Sequence, residues 1–161
     1  MGRWSRPWML GYQRERRVRE TLGSAPEEPL DVEQMVAVAG VRQETPMGIT
    51  GLAKAHDDGT VVAVASQAPV HVRRFAAARA IGRRTFDNSA GGLLLTSRDE
   101  YAAKVERAFA AELLAPAEGL QKILEGSLTD EPIKDAADRY NVSIRVIEHQ
   151  LQNQLRRWGS L

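Results

Sequence analysis

A chain of 161 residues with 43% apolar and 27% charged side chains carries enough hydrophobic material for one folded domain, or one domain with a small appendage. Its formal charge of +1 gives no whole-molecule attraction to nucleic acid or to anionic membranes, so any such role has to come from local clustering. Cysteine is absent, which excludes a disulfide framework and thiolate metal sites, and no apolar run approaches the ~20 residues of a membrane-spanning helix. No signal-peptide pattern opens the chain, and the expected location is the cytoplasm, with no membrane partner.

The first predicted element is a surface helix over residues 11–22, rich in arginine and glutamate and stopped by Gly23. A proline- and glutamate-bearing loop follows, and Asp31 is placed to cap a second helix over 31–38, with Val32, Met35, Val36 and Val38 as its apolar side chains. Residues 48–55 and 60–66 are rich in small and β-branched side chains and flank a turn at His56 to Gly59, the pattern of a β-hairpin. A third short strand fits 92–96. From Val70 the chain turns helical, with Val72, Phe75, Ala78 and Gly82 on a common face.

A strong amphipathic helix is predicted over 98–114, its stripe formed by Ala102, Val105, Phe109 and Leu113 and its end marked by Pro116. Shorter helices follow over 117–124 and 130–140, and a last one runs from Ser143 to near Trp158. This is an α+β pattern, mostly helical, with a small antiparallel sheet packed on helices.

Two segments carry a family resemblance. Arg74-Phe75-Ala76-Ala77-Ala78-Arg79-Ala80-Ile81-Gly82-Arg83 resembles the active-site helix R-F-x-x-A-H-E-x-G-H of the ImmA/IrrE zinc peptidases. Phe109-Ala110-Ala111-Glu112-Leu113-Leu114-Ala115-Pro116 is similar to that family's F-A-A-E-L-L-M-P, and the spacing between the segments also suits it. Weaker likenesses run from Pro7 to Tyr12 and from Tyr140 to Asn153. The resemblance implies a zincin-like core over 1–126, followed by a helix-turn-helix-like segment over 127–161.

In such a motif two histidines on one helical face bind Zn²⁺ and the neighbouring glutamate takes a proton from the bound water. Here the histidine positions hold Arg79 and Arg83, the glutamate position holds Ala80, and the position implied for the third ligand holds Val105. A guanidinium has no lone pair for a metal, alanine takes no proton, and valine coordinates nothing. A shifted register offers Glu106, but a single carboxylate does not make a zinc site. His56, His71 and His149 show no metal-ligand spacing. The expectation is a degenerate site with no metal, no cofactor and no hydrolysis.

Arg79 and Arg83 admit two readings: a repurposed anion site, or side chains that reach solvent or fold onto Glu106 or Glu112. The second is preferred, because a buried arginine needs a carboxylate partner. Arg73, Arg74 and Arg84 extend the run to five arginines within twelve residues, and a solvated surface is the expected reading.

The last two helices, joined by Asn141-Val142-Ser143, have the sequence look of a helix-turn-helix. The second shows Arg145, His149, Gln150, Gln152, Asn153, Arg156 and Arg157, types able to contact bases, phosphates or a protein partner. Plain helical packing is the simpler reading of the same segment. Three functions remain: an inactive peptidase-like protein that binds a protein partner, which the family context sets in bacterial phage, plasmid or stress regulation; a DNA-binding regulator; and a metallopeptidase with an unusual site. The first accounts for retained scaffold and lost ligands together. The partner's identity and the oligomeric state are not legible in the residues.

Overall fold

The computed structural model describes residues 6–42, 47–56, 59–65, 67–86, 92–98 and 100–158, with side chains described as far as 154. Their order is α1 (Pro7–Leu22), β1 (Ala37–Val41), β2 (Ile49–His56), β3 (Gly59–Ala65), α2 (Val70–Phe86), β4 (Gly92–Thr96), α3 (Tyr101–Leu114), α4 (Ala117–Leu124), α5 (Asp130–Tyr140) and α6 (Ile144–Trp158). The class is α+β, with a four-stranded sheet in the order β1-β3-β2-β4.

Two expectations change. The sheet is mixed: β2 runs antiparallel to β3 and β4, but β1 runs parallel to β3, with Ala39 opposite Ala63. The expected helix over 31–38 is instead a turn followed by β1. Asp31 does cap it, its carboxylate accepting from the Glu33 amide at 3.1 Å, but only a single turn forms. So short a helix does not recover its nucleation cost, and Val36, Val38 and Val41 favour an extended chain alongside β3.

One face of the sheet is covered and the other is open. Ala53, Val62, Val64 and Leu95 point into the core, while Leu52 and Leu94, directly opposite each other on β2 and β4, are exposed. On the covered side α2 is enclosed through its middle turns, with every residue from Ala76 to Gly82 buried. Four alanines in that stretch (Ala76, Ala77, Ala78, Ala80) keep it slim enough for neighbours to close on all sides.

Helix α1 lies against α3 at close range. A β-carbon on Gly11 would stand 2.7 Å from the Phe109 backbone nitrogen and 2.9 Å from the Val105 carbonyl oxygen, so only glycine allows this approach. The helix ends at Gly23, whose φ of 64° lets the amides of Gly23 and Ser24 reach back to the last turn. At the other end of the chain α5 turns into α6 through Asn141, itself left-handed with φ 50°, and α6 buries Ile147 and Gln150.

Candidate functional site

Residues 79 and 83 are one turn apart on α2 and project to the same side. That side faces α3 and the ends of β2 and β4. The Arg79 guanidinium donates to the Thr50 hydroxyl at 2.8 Å, to the Thr96 carbonyl at 2.8 Å and to Glu106 Oε2 at 3.2 Å. Arg83 donates to the other oxygen, Glu106 Oε1, at 2.9 Å. One carboxylate is thus shared by two guanidiniums.

Burial sets the character of this cluster. The side chains of Arg79 and Glu106 are each 4% exposed, whereas Arg83 is 30% exposed and forms its outer rim. Burial pulls the Arg79 pKa below the ordinary guanidinium value; Glu106 raises it again, and Arg107 adds a smaller lowering influence. The group stays protonated at any ordinary pH. The Nε atoms of Arg79 and Arg83 are buried without an acceptor among the described residues, so the terminal nitrogens make the pairing.

Of the four positions that the resemblance sets against metal ligands and base, 79 and 83 thus belong to an ion cluster with Glu106. Ala80 is fully buried, and Val105 is buried in α3. Glu106, the next residue around that helix, is the carboxylate that meets α2. Glu112 does not join it, contrary to the alternative pairing expected above. Its carboxylate instead accepts from the Ala117 amide at 3.2 Å and from the Gln150 side-chain amide. Two guanidiniums and one carboxylate do not fit the Zn²⁺ ion that the resemblance implies, because a metal needs several lone-pair donors at one point. Among the described residues there is no group of three or more His, Asp or Glu placed to hold a metal.

The arginine run is not a solvated surface throughout. Arg74 is buried as well, donating to the Leu30 carbonyl at 2.9 Å and lying 3.5 Å from Glu33. Of the five, Arg74 and Arg79 are buried, whereas Arg73, Arg83 and Arg84 are partly exposed.

The terminal contact residues divide. Arg145 and His149 are exposed on α6, and Gln152 with them. Gln150 is not the outward contact residue expected: it is fully buried, donating to Glu112 and to the Ala115 carbonyl at 2.9 Å, and accepting from the Tyr12 hydroxyl. Asn153 is half-buried and donates to the Tyr12 hydroxyl at 3.3 Å. The side chains of Arg156 and Arg157 lie outside the described residues.

A second buried polar group has no counterpart in the sequence reading, which placed α1 at the surface. Glu15 and Arg19 are buried and paired at 2.8 Å. Arg19 also donates to the carbonyls of Ala25 and Leu113, each at 2.8 Å, tying α1, the loop after it and the end of α3 together. A glutamate four residues before an arginine is an ordinary surface pairing on a helix, so the pattern carried no sign of burial.

Compared with known proteins, the chain matches no family model, and no curated protein is similar to it.

Proposed function

We propose that this chain is an ImmA/IrrE-like domain without hydrolytic capacity, which acts by binding a protein partner. The carrying observation is the shared Glu106 carboxylate. Where such a peptidase places metal ligands and a general base, this chain has two guanidiniums, an alanine and a carboxylate already engaged by both arginines. Among the described residues no set of lone-pair donors is placed to hold a metal, and the position of the general base holds Ala80.

The uncovered sheet face supports the binding half of the reading. Leu52 and Leu94 pair across two strands and are 44% and 60% exposed, an apolar feature of the kind that marks contact surfaces. DNA recognition through α6 has less material. Gln150 is consumed inside the protein and Asn153 is engaged by Tyr12, which leaves Arg145, His149 and Gln152 on the outward side among the described residues, beside an exposed Glu148.

The test begins with purified protein equilibrated with zinc and then desalted. The expected metal content is far below one per chain, with no chelator-sensitive peptide hydrolysis. A content near one, together with hydrolysis lost to chelator, overturns the proposal. Salt-dependent DNA binding that weakens on Arg145→Gln would instead favour the regulator. A partner captured by the native chain and lost on Leu52→Lys/Leu94→Lys, with the fold intact, is the outcome expected here.

A further inference from the structure

A cavity of about 750 Å³ opens between α1, α2 and the start of the sheet, within the range of small-ligand sites. It lies on the other side of α2 from the Arg79–Glu106 cluster, because Ile81, Arg84 and Thr85 project roughly opposite to residues 79 and 83. Its α1 wall is a single stripe from Arg14 through Val18 to Leu22, ~12 Å long at the helical rise. The floor is apolar: Val36 and Ile81 are buried core side chains, and Val18 packs against them. Met35 and Leu22 are partly exposed at the lip.

The charged side chains described in this trough are cationic. Arg14, Arg17 and Arg84 line it, and none of its described lining residues is an aspartate or glutamate. Arg14 is held at the mouth by a 3.2 Å bond from its guanidinium to the Thr85 carbonyl. Burial lowers the Arg14 pKa, the neighbouring Arg17 adds to the lowering, and Tyr101 opposes it. Thr21 and Thr85 donate their hydroxyl protons to backbone carbonyls of their own helices. Among the described lining residues there is no aromatic ring, so they offer no stacking platform for a base or a sugar.

An apolar trough with a cationic mouth selects a molecule that is greasy along its length and negative at one end. The geometry points to a single-chain anionic amphiphile as the ligand of this cleft. Its alkyl tail lies over Val18, Val36 and Ile81, and its carboxylate or phosphate head is held by Arg14, Arg17 and Arg84. This site is independent of the partner-binding reading: it shares no residue with the Glu106 cluster or with the open sheet face.

The probes are decanoate and decyl phosphate, titrated into the full chain below their micelle-forming concentrations and followed by amide chemical shifts. Saturable shifts at Val18, Val36, Ile81 and their neighbours are expected, with 1-decanol binding at least tenfold more weakly. Arg17→Gln/Arg84→Gln removes two charges that are not core side chains, so the fold should persist, and decanoate affinity should fall at least tenfold. A preference between the two probes distinguishes a fatty-acid from a phospholipid-type source. Equal binding of decanol and decanoate, an affinity unchanged in the double variant, or inorganic phosphate binding as tightly as decyl phosphate would each overturn the assignment. So would shifts spread over the whole chain, which would report loosening of the fold and not a site.

Discussion

Gly82 of α2 and Phe109 of α3 meet so closely that a β-carbon on residue 82 would lie 2.6 Å from Cδ1 and 2.9 Å from Cγ of the ring. The two residues come from the two segments that carry the family resemblance, so the fold brings those segments into direct contact. Phe109 is fully buried and has little room to withdraw. Alanine in mid-helix is worth up to ~1 kcal/mol over glycine. Overpacking a closed core costs about 1–3 kcal/mol. The clash should win, and Gly82→Ala should lower stability in urea denaturation. On a Phe109→Leu background, the further loss caused by Gly82→Ala should shrink. A Gly82→Ala protein as stable as the parent would show that the ring has freedom the packing denies it.

The Glu106 cluster makes a stronger demand. Removing one partner of a buried ion pair leaves a charge with no compensation, at a cost of roughly 3–5 kcal/mol. Glu106→Ala is expected to fall in that range, since Arg79 has no other carboxylate partner among the described residues. Replacing both charges, as in Arg79→Met/Glu106→Leu, should recover much of the loss. Arg83→Gln should cost less than either single change at the core of the pair, because Arg83 reaches solvent. Equal losses for Glu106→Ala and the double replacement, measured by denaturant midpoint, would count against charge pairing as the cause.

These contacts show which features the sequence made legible. The helix at α3, the hairpin of β2 and β3, and the later helices follow from apolar spacing and from turn residues, which act locally. The expected helix at 31–38 failed for a non-local reason: its valines satisfy helix and strand periodicity alike, and the parallel neighbour β3 decides between them. At the site, the residue types at positions 79, 80, 83 and 105 are readable directly. That Glu106 and not Glu112 faces α2 depends on how α3 is rotated in the fold, which the spacing of charged residues does not encode. Burial of Arg19 and Gln150 was hidden for the same reason, since Leu113 and Glu112, to which they donate, lie far away in the chain.

Gln150 offers a separate check on the role of α6. Its side-chain amide satisfies Glu112 and the Ala115 carbonyl, and its oxygen accepts from Tyr12. Gln150→Ala strands the buried Ala115 carbonyl, at a cost of ~1–3 kcal/mol, and removes the partner of the part-buried Glu112 and Tyr12 groups. Lower stability and faster amide exchange along α6 are therefore expected. A base-reading side chain would give the opposite pattern, with stability untouched and DNA affinity reduced.

The neighbouring carboxyls of the buried Glu15 and the partly buried Glu112 make stability depend on pH in a defined direction. Burial pushes the Glu15 pKa up to about 8, with the nearby Glu112 adding to the rise and the bonded Arg19 opposing it. Glu112 is also raised, chiefly by burial, against the pull of its hydrogen bond from Gln150. A carboxyl whose pKa is higher in the folded state holds its proton there while the unfolded chain has already lost it. Its stabilising contribution is complete below the unfolded value, near 4.5, and is lost as pH rises through about 8. Unfolding free energy should therefore decline from mildly acidic to mildly alkaline pH. Glu15→Gln, which cannot ionise, should flatten that decline while leaving stability at low pH close to the parent. If instead the parent gains stability over this window, or Glu15→Gln keeps the full slope, then Arg19 dominates and Glu15 is ionised throughout.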